Sequence, residues 1–210
     1  GATIDELRNY LVEATRRGIQ NIVALRGDPP RGQAAFQAVA GGYRYAHELV
    51  TLVRREFPAF GVAVAGYPEV HQEAVSPELD LDHLKFKVDC GADVVITQLF
   101  YNNDDFFRFQ ERCRRAGIAV PIVPGVLPIT NLAQVRRITT MCGARLPSEL
   151  VSALEVHENS LQDQFEVGVD HATRQVQQLL DARVPGVHFY VLNKSPATCR
   201  VLRSVVRPAC

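Results

Sequence analysis

The feature that most constrains this chain is one pattern repeated five times: a short apolar run that closes on a knot of polar residues and is followed by a stretch with helical spacing. The first is Asn21-Ile-Val-Ala-Leu-Arg-Gly-Asp-Pro-Pro30, in which 22–25 reads as a strand and Pro29 and Pro30 forbid further ladder pairing. The others span 61–68, 94–101, 122–128 and 186–193, and the first four begin about 30 to 40 residues apart. The runs are continuous, not alternating, which predicts strands buried on both faces in a parallel sheet covered by helices. Five such units fit an open doubly wound sheet or part of a barrel. In either architecture ligands bind at the carboxyl ends of the strands, where the polar knots sit.

The intervening segments carry helix signals. Thr3-Ile-Asp-Glu6 has capping-box spacing ahead of a helix over 4–17 that Gly18 ends. After a Gly/Gln/Ala-rich loop at 31–42, a helix over 43–56 is stopped by Phe57-Pro58. Ser76-Pro77-Glu78 opens a helix that runs to about Cys90, with Gly91 as its stop. Further helices are expected over 103–116 and from Thr130 or Asn131 to 141. A polar, helix-rich insertion should follow at 148–155 and 159–182, and a last helix from Ser195-Pro196 to 206.

Composition excludes several function classes. With 210 residues and 47% hydrophobic content the chain can bury one substantial core, so a single domain over 1–210 is expected. Equal counts of basic and acidic residues, 23 each, give no electrostatic footprint for nucleic acid. No apolar run approaches the ~20 residues of a membrane helix, so no membrane partner is expected. The five cysteines, Cys90, Cys113, Cys142, Cys199 and Cys210, lack CxxC spacing. They read as idle thiols of a cytoplasmic protein, without a metal site or a disulfide framework.

The strand tips supply the candidate chemistry: Arg26 and Asp28, Tyr67 with Glu69 and His71, Gln98 and Tyr101, and Asn193 with Lys194. Taken singly, each is an ordinary rim side chain. Converging on one rim, a carboxylate, an amide, aromatics and scattered cations suit a planar heteroaromatic ligand. No Ser-His-Asp order, metal-ligand spacing or GxGxxG fingerprint is present. On the helix from 77 to 90, Asp80, His83 and Lys87 share one arc at 100° per residue. That arc is either a solvated face or the wall of a groove in which Lys87 meets a phosphate and Asp80 a ribose hydroxyl.

At these residues the sequence resembles the methylenetetrahydrofolate reductases. Asn21-Ile-Val-Ala-Leu-Arg-Gly-Asp-Pro, Ala65-Gly-Tyr-Pro-Glu-Val-His, Leu84-Lys-Phe-Lys-Val-Asp-Cys-Gly-Ala-Asp, Ile96-Thr-Gln-Leu-Phe, Ile122-Val-Pro-Gly-Val-Leu-Pro and His188-Phe-Tyr-Val-Leu-Asn are similar to that family's segments, in its order. The resemblance implies a (β/α)8 TIM barrel, of which the chain supplies about the last five βα units. It also implies reduction of 5,10-methylenetetrahydrofolate to 5-methyltetrahydrofolate, with FAD passing a hydride from NADH or NADPH in ping-pong order. It assigns FAD binding to Arg26, Gly27, Asp28, Tyr45, Ala46, Tyr67, His71, Gln72, Glu73, Ala74, Asp80, His83 and Lys87. Asp28 and Gln98 take catalytic roles, and Asp28, Gln98, Gln134, Tyr190 and Lys194 face the folate. A homo-oligomer is possible.

The chain also departs from the family. Lys194 stands where relatives carry Arg, and so lacks the planar bidentate fork. Ile138 replaces a stacking Phe of some members, and Phe86 a basic residue near the phosphates. The first three βα units, ~90 residues in all, and the glutamate general acid on the first strand have no counterpart here. The expectation is therefore an N-terminally incomplete domain that binds FAD poorly and turns over little by itself. The alternative is a fragment or paralogue that works as a binding module.

Overall fold

In a computed structural model, which describes residues 1–27 and 36–206, the five expected strands form one parallel sheet. They are β1 (Asn21–Ala24), β2 (Gly61–Gly66), β3 (Val94–Leu99), β4 (Ile122–Val126) and β5 (His188–Phe189). Each pairs with the next in sequence, in the order β1-β2-β3-β4-β5. A doubly wound sheet reverses its strand order part-way. This one does not, and it is half of a barrel of the TIM type.

Helix α1 (Ile4–Arg16) precedes β1, and α2 (Ala46–Glu56), α3 (Pro77–Asp89) and α4 (Asn103–Arg115) follow β1, β2 and β3. After β4 come α5 (Leu132–Cys142), α6 (Ser148–Glu155) and α7 (Leu161–Asp181), and α8 (Pro196–Ser204) follows β5. Their ends obey the signals in the sequence. Thr3 and Glu6 form the reciprocal capping box, with the Glu6 N–H donating to Thr3 Oγ1 at 3.2 Å and the Thr3 N–H to Glu6 Oε2 at 2.8 Å. Asn131, not Thr130, caps α5 by accepting the Gln134 N–H at 2.9 Å. Gly18, Gly91 and Gly117 all take positive φ just past helix ends, at 72°, 113° and 74°.

The main core packs the convex face of the sheet against α2, α3, α4, α7 and α8, with Val62, Val64, Val95, Phe100, Phe106, Val126, Val176 and Leu179 among its members. A second apolar cluster lies beyond the strand tips and joins Leu99, Tyr101 and Leu127 to Leu132 and Val135 of α5 and Leu150 and Leu154 of α6. The α5–α6 pair is therefore a cap over the carboxyl end of the sheet. Its far end meets the loop after β2, where Gln72 Nε2 donates to the Thr140 carbonyl at 3.1 Å.

Three expectations need correction. β1 is not buried on both faces: Ile22 and Ala24 pack on the main core, whereas Val23 and Leu25 are half exposed, because β1 is an edge strand and its other face meets no layer among the described residues. The last strand is two residues long, not eight. Tyr190 still donates its N–H to the Val126 carbonyl, but Leu192 and Asn193 then adopt φ of 49° and 59° and turn the chain out of the ladder. The segment 161–181 is not a polar insertion. It is the return helix of the fourth unit, buried along Gly168, Val169, Ala172, Gln175, Val176 and Leu179. Its glutamines mislead because they are used internally: Gln175 Nε2 donates to the Phe100 carbonyl at 2.9 Å, and Gln178 Oε1 accepts from Asn103 Nδ2 at 2.9 Å.

Candidate active site

At the tip of β1, Gly27 takes φ +83°, a turn that favours glycine, and Arg26 reaches across to the loop after β2. Its guanidinium grips Glu73 in a two-pronged ion pair, at 2.6 and 2.7 Å, and lies 5.0 Å from the Phe36 ring centroid. Asp28 lies outside the described residues.

The loop after β2 is folded by its own polar groups. His71 Nδ1 accepts the Glu73 N–H at 3.1 Å, and the His71 carbonyl accepts the Ala74 N–H at 2.9 Å. The His71 N–H is held by Asp80 Oδ2 of α3 at 3.2 Å, and the His71 and Tyr67 rings meet edge to face, 4.5 Å apart. Below them Lys87 reaches up from α3, donates from Nζ to the Ala65 carbonyl at 2.5 Å and lies 5.8 Å from the Tyr67 ring centroid. Burial drives the Lys87 ammonium down to about 8, with Asp80 opposing, and pushes the Asp80 carboxyl up and the His71 imidazole down. Asp80 and Lys87 thus turn inward from α3 toward the end of β2 and the loop after it, and are not on a solvated face. His83 is exposed.

Other candidates sit further out or form a second group. Tyr45 is the exposed N-cap residue of α2, its N–H donating to Glu48 Oε2 at 2.7 Å; it stacks on His47 at 5.5 Å and precedes Ala46, the first residue of the helix. Gln134, Ile138, Tyr190 and Lys194 line a small recess of about 30 Å³ walled by 127–131 and the start of α8. Gln98 stands on β3, between the strands that carry the two groups, and its Oε1 accepts the Leu99 N–H at 2.9 Å, leaving the amide NH2 as the donor at the rim.

Tyr101 is not a rim residue. It is buried in the cap cluster, its ring 6.2 Å from that of His171. Nothing in the sequence pointed to Arg145 or Asp105. Arg145 binds the buried Glu69 from the loop after α5 at 2.9 Å and reaches Asp105 of α4 at 3.0 Å. Their partners are 76 and 40 residues away, beyond any local spacing rule.

A sequence model of the family described as methylenetetrahydrofolate reductase matches residues 1–206. The probable methylenetetrahydrofolate reductase (NADH) of Oryza sativa subsp. japonica is 39% identical over 212 residues, covering 96% of this chain and 36% of the relative. The 5,10-methylenetetrahydrofolate reductase of Escherichia coli K12 is 38% identical over 208 residues, covering 99% of this chain and 68% of the relative. Among solved structures, an uncharacterized protein from Clostridium thermocellum that binds two copies of 5-methyl-5,6,7,8-tetrahydrofolic acid has the same fold, with TM-score 0.58 and 16% identity, over 97% of this chain and 68% of that one. The chain thus spans about a third of the plant relative and about two thirds of the bacterial one. Among the described residues no helix is long and apolar enough to cross a membrane.

Proposed function

Since this chain belongs to the methylenetetrahydrofolate reductase family, we propose that it carries part of the active site of an enzyme that reduces 5,10-methylenetetrahydrofolate to 5-methyltetrahydrofolate. The hydride donor in this reading is a nicotinamide dinucleotide, NADH by the name of the plant relative, and the resident cofactor is FAD. The site works in a reducing compartment such as the cytoplasm.

The observation that carries the cofactor assignment is Lys87. Its ammonium is largely buried and, among the described residues, donates to one carbonyl oxygen and faces one opposing carboxylate, Asp80, which is itself inclined toward the neutral form by burial. A cation placed so is under-compensated, and an anion beside it relieves the cost. The diphosphate of FAD fits that need, with Asp80 at hand for a ribose hydroxyl and the Tyr67 face for apolar contact. FAD, when bound, carries two electrons between nicotinamide and folate. The protein's own groups bind and orient. The Arg26–Glu73 pair fixes the Gly27 turn and so the backbone leading to Asp28. The Gln98 amide donates toward the heterocycle's edge. Gln134 and Tyr190 border the folate side, where Lys194 meets a carboxylate.

Flavin absorbance titrations of the native protein test this. Lys87→Met should weaken FAD binding at least tenfold, about the effect of one charge-assisted contact. Gln98→Ala should leave FAD binding intact and weaken 5-methyltetrahydrofolate instead. Undiminished FAD affinity in Lys87→Met would overturn the cofactor assignment.

A further inference from the structure

The pairing between β3 and β4 slips by one residue next to Gln98. Ile96 pairs with Val123 and Leu99 with Gly125, so three steps along β3 match two along β4. This is a β-bulge, which leaves ladder groups without their regular partners and re-aims the neighbouring side chain.

Two side chains take over those groups. Thr97, fully buried, accepts the Gly125 N–H on its own Oγ1 at 2.9 Å. Its carbonyl accepts the Tyr190 hydroxyl at 2.8 Å. Tyr190 stands one residue past β5, so its side chain crosses β4 to reach β3. The crossing is made over Gly125: a Cβ at that position would stand 2.6 Å from Tyr190 Cε2 and also inside contact distance of the Thr97 carbonyl. Tyr190, Gly125 and Thr97 therefore form one brace across three strands. Burial raises the Tyr190 hydroxyl to about 12, so it remains the proton donor of the brace through the neutral range.

We infer that Tyr190 is a positioning residue, which acts through the bulge at Thr97 to aim the Gln98 amide at the bound heterocycle. The inference rests on the proposed role of Gln98 and adds to it a residue that works without touching the reacting atoms. Removing the hydroxyl frees the bulge to relax, and Gln98 then samples orientations that do not bind.

The test is a double-mutant cycle on the native holoprotein, with calorimetric titration of 5-methyltetrahydrofolate as the readout. Tyr190→Phe should weaken binding about fivefold to tenfold, the value of one hydrogen bond. Gln98→Ala should weaken it by at least as much, and the double variant should bind no worse than Gln98→Ala alone. Thr97→Val removes the other arm of the brace and should show the same non-additivity, which keeps the test open if Tyr190→Phe folds poorly. Losses that add in both double variants would overturn the brace and leave Tyr190 as packing or direct contact. No loss in Gln98→Ala would instead overturn the role of Gln98, and the inference with it.

Discussion

Arg145 donates both its backbone N–H and its Nε to the same carboxylate oxygen of Glu69, each at 2.9 Å, and so ties the end of the α5–α6 cap to the loop after β2. The same guanidinium reaches Asp105 at 3.0 Å, and both carboxylates are more than nine-tenths buried while Arg145 is largely exposed. Burial already raises the Glu69 carboxyl, so Arg145 is what offsets an otherwise uncompensated buried charge.

Removing that cation should therefore cost more than a surface ion pair would. Arg145→Ala is expected to destabilise the protein by about 1–3 kcal/mol, a range set below that of a fully buried pair because Arg145 itself is solvated. Glu69→Gln, which removes the charge that needs a partner, should cost less. Urea unfolding of the two variants checks the order.

Lys87 links the site to pH. Its folded value, about 8, lies below the ordinary 10.5, so the unfolded chain holds the extra proton between those limits. Stability from this group is lowest below pH 8 and rises as pH climbs from 8 toward 10.5. Without bound anion, Lys87→Met should gain up to roughly 3 kcal/mol over the parent at pH 7, and the gap should narrow by pH 10. Thermal melts at both pH values, repeated with added FAD, measure it. FAD should reverse the order at pH 7.

Gly168, inside α7, should invert a familiar rule. Glycine to alanine within a helix usually stabilises by about 0.5–1 kcal/mol. Here the added Cβ would drive into the backbone carbonyl of Ile129, which cannot swing away as a side chain tip can. Gly168→Ala is expected to destabilise by about 1–3 kcal/mol through overpacking, read as a lowered melting temperature.

Lys194 borders the recess with Gln134 and Tyr190. Lys194→Ala should raise the folate KM severalfold and leave nicotinamide-dependent flavin reduction unchanged. Lys194→Arg, which restores the planar fork, should match or exceed the parent's folate affinity. Stopped-flow measurement of the two half-reactions separates these outcomes.

Much of the layout at the strand tips was legible because its local rules are short-ranged. Apolar runs followed by polar knots located the rim, and the spacing of Asp80 and Lys87 put both on one face of α3, where they meet His71 and Ala65. The reading failed where a residue's partner is remote. Tyr101 reads as a rim aromatic but is covered by the cap helices, and the glutamines of α7 read as solvated, whereas Gln175 and Gln178 meet the Phe100 carbonyl and Asn103. Polarity in a sequence does not report whether a hydrogen-bond partner waits inside.

By itself the sequence determined the alternation of strands and helices, the caps at Thr3 and Ser76, the glycine stops, and the family to which the chain belongs. Periodicity and capping act within a few residues and are written in consecutive letters. Only the tertiary structure decided that α5 and α6 fold over the mouth of the sheet and that Tyr190 crosses Gly125 to hold Thr97. Those outcomes depend on packing between segments up to 93 residues apart. No local pattern encodes which distant surface a side chain will meet.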